Sequence, residues 1–363
     1  MEISASRKPV HATSATAGAA PAMSYRMPRL PMLDGWRGIS ILAVLACHML
    51  PLGPKRFGLN GAAGVFGMCL FFTLSGFLIT STLLHDPSVR NFIIRRLCRI
   101  LPLSWLYTLI VLPIAGVSIG YYIATLLFYA NIPPFWLSGF TGHLWSVCVE
   151  MQFYALVAIM FAAFGRKGLL MLVPVCLAIT AGRIANHKLA DIVTYFRVDE
   201  ILAGASLALV YAGLLGQPIR KFLSTVSPWI LLVLLLPACH SASGPMNYLR
   251  PYLAAGLVGT TIFQADHRLT RRLQVASLAY IAEISYALYV IHPLTYHGWL
   301  GSGTKLVKYC KRPLSFALSF ALAHISTRYY ESRWIAWGKR HTVRPPASPA
   351  FNDMVSLEPS SLL

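Results

Sequence analysis

The chain has 363 residues, a net charge of +19, 56% hydrophobic residues, only 12% charged ones and a mean hydropathy of +0.60. That is roughly half the charged fraction of a soluble domain, so the surplus apolar residues need lipid as their solvent. Composition therefore excludes an ordinary soluble domain and predicts an all-α, polytopic transmembrane helical bundle. The positive charge does not point to nucleic acid, because Lys and Arg sit in short clusters between apolar runs, as topology determinants do.

Residues 1–30 are rich in Ala, Ser and Pro and contain no apolar core of a signal peptide; they are expected to form a disordered cytoplasmic tail. A second such tail is expected at 341–363, leaving 31–340 as the membrane domain. Apolar runs follow at 38–52, 62–84, 100–118, 143–164, 168–182, 199–216, 226–240, 251–265, 276–297 and 313–335. They predict about ten spans. The stretch 119–136 holds only half a span and reads as a re-entrant or interfacial piece. With the N-terminus inside, Lys and Arg favour the inner segments roughly two to one, which predicts N-in and C-in. The seven cysteines form no C-x-x-C pair and mostly lie in apolar runs, so they read as small buried hydrophobes, with no metal site.

Ionisable groups inside spans cost ~2.5–3.5 kcal/mol each and are functional candidates by default. The main ones are His48, Glu150, Glu283, His292, His324 and Arg328. Arg37 and His48, eleven residues apart, fall on one helix face ~16 Å from each other. A neutral imidazole can take a proton from a hydroxyl at neutral pH, and Arg37 can hold an anionic donor group. The alternative is a hydrogen-bonded His in a bundle and a snorkelling Arg. Glu150 is suited to orient His48 or polarise an acceptor; alternatively it forms a structural ion pair, for example with Arg197. Ser75 and Gly76 are expected to break a long apolar helix, either for close helix packing or for close approach of a substrate chain. No nucleophile-elbow spacing surrounds Ser75. Arg95, Arg96 and Arg99 fix topology at a helix entrance and are also placed to dock a nucleotide phosphate.

Six segments stand out in order: LDGWRGISILAVLACHM with Arg37 and His48, FFTLSGFLIT with Ser75, the Arg-rich run Phe92 to Pro102, HLWSVCVEMQFY around Glu150, RVDEILAGA from Arg197, and ISYALYVIHP with Tyr286 and His292. Together they resemble the acyltransferase 3 family of membrane-bound O-acyltransferases, over about 30–336. Two positions depart from the family pattern: Met151 stands where a second Glu is common, and Glu331-Ser332-Arg333 replaces Glu-Arg-Pro. The resemblance implies a multi-pass protein of the bacterial inner membrane. It implies transfer of an acyl group, usually acetyl from acetyl-CoA, to a carbohydrate or lipid-linked glycan hydroxyl. Acyl-CoA is then a co-substrate, with no tightly bound cofactor. The roles implied are His48 and Glu150 in catalysis and Arg37, Arg95, Arg96 and Arg99 in donor binding. Ser75, Arg197, Tyr286 and His292 act on the acceptor or in structure. The competing class is a transporter or flippase, since buried His, Glu and Arg also mark substrate and proton pathways; against it, no internal repeat is visible. Geometrically, His48 and Glu150 are expected at similar depth in one shared cavity, with Arg37 facing a separate cytoplasmic opening of that same cavity.

Overall fold

The computed structural model describes residues 29–342, and every regular element among them is helical. The expected tails fall almost wholly outside the described residues. The first helices are α1 (Pro31–Met49), α2 (Leu59–His85), α3 (Val89–Ala115) and the short α4 (Ile119–Leu126). Next come α5 (Trp145–Leu170), α6 (Leu172–Ala185), α7 (Asp199–Tyr211), α8 (Gln217–Thr225) and α9 (Pro228–Ala238). The C-terminal half holds α10 (Arg250–Phe263), α11 (Arg268–Leu273), α12 (Ala276–Glu283), α13 (Ser285–Ile291), α14 (Gly298–Gly301), α15 (Lys305–Cys310), α16 (Arg312–Ile325) and α17 (Ser332–Arg340).

Local chemistry sets these boundaries. Pro31 opens α1, where its missing N–H costs nothing. The Asn60 side chain closes the same helix by donating to the carbonyls of Ala46, Cys47 and Leu50. Ser88 caps α3 by accepting from Asn91 N, and Gly116 ends it at φ 61°, a left-handed position that suits glycine.

Helix α2 lies between α1 and α7 and forms the centre of the bundle. The contact is backbone to backbone. A Cβ on Gly76 would sit 1.8 Å from Ile201 O, and one on Gly204 would sit 2.0 Å from Thr73 O. On the other side Ser40 Oγ donates to Gly67 O at 2.7 Å. Helix α2 runs unbroken through Ser75 and Gly76, contrary to expectation, because Gly76 serves the close approach of α7 and not a bend. Many large apolar side chains point outward, among them Leu109 and Ile114 on α3, Ile159 on α5 and Val233 on α9. This is the surface of a membrane protein.

Among the described residues, three helical segments are long and apolar enough to cross a membrane: Leu59–His85, Val89–Ala115 and Gly142–Leu170. Helices α8 and α9 together pass the same test but meet at a 92° bend. The apolar run 276–297, expected as one span, is divided into α12, α13 and a tight turn at His292–Thr295, where Pro293 cannot supply an N–H. The stretch 119–136 forms only the eight-residue α4 followed by irregular chain. All seven cysteines are free thiols, and Cys69, Cys148, Cys176 and Cys239 are buried.

Candidate active site

Two cavities lie along α1, one at each of the residues singled out from its sequence. The first, about 470 Å³, is lined by His48, His143, Trp145, Asp191, Arg197 and Tyr289 among others. The second, about 770 Å³, is lined by Arg37, Arg99, Arg29, Asp34, Tyr280 and Glu283 with apolar neighbours. Arg37 and His48 thus share a helix but face different spaces.

His48 sits in the last turn of α1, held in place by the Asn60 cap, and its ring is exposed to the first cavity. Around it stand two further histidines. The His48 and His292 ring centroids are 5.2 Å apart, those of His292 and His143 are 5.3 Å apart, and Tyr296 stacks on His48 at 6.0 Å. The two inner rings are fixed by backbone carbonyls of α13. His292 Nδ1 donates to Tyr289 O at 2.7 Å, and His143 Nε2 donates to Val290 O at 3.1 Å. A carbonyl only accepts, so the bonded nitrogen carries the hydrogen and the other nitrogen of each neutral ring is a lone pair. His292 Nε2 is such a lone pair, buried and without a partner. Tyr289 closes the cluster: its hydroxyl donates to His143 O and accepts from Ser146 Oγ at 2.6 Å. Of the three rings His48 is the exposed one; His143 also lines the cavity but is buried, and it and His292 have set tautomers. Among the described residues no group of three or more His, Cys, Asp or Glu side chains is arranged to hold a metal ion.

Glu150 lies elsewhere. It is buried in α5, and its Oε1 accepts from Ser75 Oγ and, at 2.6 Å, from Tyr154 OH. The Arg96 guanidinium lies 5.9 Å above the Tyr154 ring and donates to Thr82 Oγ1 at 3.3 Å. A chain of contacts, Ser75–Glu150–Tyr154–Arg96, thus joins Glu150 to the arginine end, and Glu150 is not part of the His48 cavity wall. Nor does Glu150 pair with Arg197, which is ion-paired with Glu200 at 3.3 Å. Within the Arg-rich run only Arg99 lines the second cavity; Arg95 is drawn away to Asp86 at 3.3 Å and to Thr342. Tyr286 donates to Ile100 O at 2.6 Å, tying α13 to α3. His324 bonds the Tyr280 hydroxyl at 3.0 Å.

Arg197 belongs to a buried charge network that the sequence did not reveal. Arg183 pairs with Asp199 at 2.5 Å, and Arg250 pairs with Glu200 at 2.6 Å. Arg183 and Arg250 both donate to Leu189 O, which holds the loop carrying Ala190, Asp191 and Ile192 over the first cavity. His143 was also missed, although it opens the same motif as Glu150 and stands one turn from Ser146. The signal for the network was weak: Arg183 and Arg250 border apolar runs and read as loop charges.

The acyltransferase-domain family matches residues 30–327. Similar chains include the peptidoglycan O-acetyltransferase OatA of Listeria monocytogenes, 25% identical over 318 residues, covering 74% of this chain and 49% of that one. Nodulation protein 10 of Rhizobium leguminosarum bv. viciae is 25% identical over 283 residues, covering 65% of this chain and 74% of that one. The chain thus spans about half the length of the Listeria relative. No solved structure matches it. With six ordered motifs, an apolar helical bundle and a family match over most of its length, the chain belongs to the acyltransferase 3 family.

Proposed function

We propose that the protein transfers an acetyl group from acetyl-CoA to a hydroxyl of a carbohydrate acceptor, with His48 as general base. The carrying observation is the pairing on one helix of a cavity-facing imidazole with an arginine, Arg37, that lines a second cavity beside Arg99. Three guanidinium groups line this pocket, Arg29 being paired with Asp34, and forks such as those of Arg37 and Arg99 suit the phosphates of a nucleotide thioester. In this reading the donor enters the Arg37 cavity and its thioester reaches towards His48. His48 accepts the proton of the acceptor hydroxyl as the oxygen attacks the thioester carbonyl carbon. The C–S bond then breaks, the CoA thiolate takes up a proton, and the O-acetyl ester leaves through the first cavity. Glu150, hydrogen-bonded by Ser75 and Tyr154, acts as a buried acceptor that holds α2 against α5 at the arginine end, a positioning role.

The same reading includes a bacterial inner-membrane location and an N-in, C-in topology of about ten crossings, with the shorter helices crossing as bent or paired segments. The Arg37 cavity is then cytoplasmic and the His48 cavity faces outward. The Listeria relative's name supports a cell-wall glycan as acceptor class. Proteoliposomes supplied with radiolabelled acetyl-CoA and cell-wall glycan test the proposal. Acceptor-dependent release of free CoA with label on the glycan is the expected result. Movement of unmodified glycan across the bilayer with no CoA release would support a transporter instead.

A further inference from the structure

Around Arg197 three guanidinium groups meet two carboxylates, all inside the protein. Arg183 and Arg250 are 0% exposed and fully engaged. Arg183 donates to Asp199 and to the carbonyls of Lys188 and Leu189; Arg250 donates to Glu200, Asn247 and Leu189. Arg197 differs. It is 3% exposed, its Nε has no hydrogen-bond partner, and its ion pair at 3.3 Å is with Glu200, a carboxylate Arg250 already holds more closely. Its planar group lies 5.4 Å from the Trp145 ring and 5.9 Å from that of Phe72. Trp145 and Arg197 both line the His48 cavity.

A buried charged donor without a partner is costly, and a cavity wall is a place where a ligand can relieve that cost. The one acidic residue in that wall does not relieve it. Asp191 is occupied by Lys188 at 3.4 Å and by the backbone N–H groups of Ile192 and Val193. The network therefore presents one uncompensated positive charge to the cavity that holds His48.

We propose that Arg197 is the anchor for a negatively charged group on the acceptor, so that the favoured acceptor is an anionic glycan and not a neutral one. The guanidinium fork matches the oxygens of a carboxylate or a phosphate. Trp145 and Tyr289 supply flat faces against which a sugar ring can rest. The inference rests on the reading of this cavity as the acceptor site of an acyltransferase.

The test uses the purified full chain in nanodiscs and three probes. These are a uronic-acid disaccharide, the same disaccharide with its carboxylate converted to the neutral amide, and a neutral disaccharide carrying a phosphate monoester. Binding is measured by calorimetry, and CoA release from acetyl-CoA is followed in the same preparation. The wild type should bind the acid or the phosphate at least about tenfold more tightly than the amide, and the tighter of the two identifies the anion. Arg197→Gln should erase that preference; Arg197→Lys, which keeps the charge but not the fork, should retain part of it. Equal binding of all three probes by the wild type, or binding of none, overturns the inference whatever the variants do. CoA release without a charge preference sinks the anchor and leaves acyl transfer standing. A charge preference without CoA release sinks acyl transfer and leaves the anchor standing.

Discussion

Gly76→Ala is a single-methyl change at the centre of the bundle, and its consequence follows from the geometry of α2 and α7. The added Cβ would lie 1.8 Å from Ile201 O and 2.8 Å from Ala205 N, whereas ordinary contact begins near 3.4 Å. The two helices must therefore part by about 1.6 Å at this point. No side chain can rotate away, because the opposing atoms are backbone. The reciprocal contact of Gly204 with Thr73 O, one turn before Gly76, leaves little freedom to slide. Overpacking of this kind costs ~1–3 kcal/mol, and the backbone-to-backbone character places it near the upper end. The displacement also has a functional reach. Ser75, the adjacent residue, donates to Glu150, and α7 begins beside Arg197. A shift of about 1 Å at positioned groups can cost ~10²-fold in rate. The assay is thermal unfolding of the detergent-solubilised protein by fluorescence, paired with CoA release. A clearly lowered melting temperature and a turnover reduced by about two orders of magnitude are expected. Wild-type melting together with wild-type turnover would refute the claim that α2 and α7 touch through their backbones.

Arg37→Ala should raise the KM for acetyl-CoA about tenfold or more, as loss of a charge-assisted phosphate contact does, whereas Arg95→Ala should leave it near the wild-type value, because Arg95 is turned to Asp86; initial-rate kinetics over a donor titration separate the two. Asn60→Ala removes a side chain that donates to the carbonyls of Ala46 and Cys47 in α1 and of Leu50 just after it, beside His48. It should cost ~1–2 kcal/mol and speed hydrogen exchange in the last turn of α1. Glu200→Gln leaves Arg197 and Arg250 buried with too little negative charge and should destabilise the fold by ~3–5 kcal/mol, read as loss of folded protein on size-exclusion chromatography.

Much of the fold was legible because lipid imposes one rule, that the backbone must satisfy its own hydrogen bonds, so long apolar runs become helices. The runs around 62–84 and 143–164 became α2 and α5 for that reason. The run at 276–297 misled because hydropathy does not register a proline turn: Pro293 follows His292, and the chain there makes short helices that bring His292 to His48. At the site, the Arg37–His48 spacing placed both residues on one helix, as α1 has them. Depth along a span did not show which neighbour each group would meet. Glu150 was expected beside His48, but its position on α5 gives it to Ser75 and Tyr154. The arginine–carboxylate network was illegible because Arg183, Asp199, Glu200 and Arg250 come from three helices. Only the packing of α6, α7 and α10 reveals that these helix-end charges are buried together.

In the proposed reaction the cavity-facing imidazole of His48 takes the acceptor proton. Acyl transfer by His48→Ala, measured as acceptor-dependent CoA release from protein confirmed to be folded and membrane-inserted, tests it most directly. A general base contributes ~10²–10⁴-fold, so turnover should fall by at least about two orders of magnitude. The residual rate should lose the wild type's decline at acid pH, where the base becomes protonated. A His48→Ala protein with wild-type turnover and an unchanged acid limb would contradict the account.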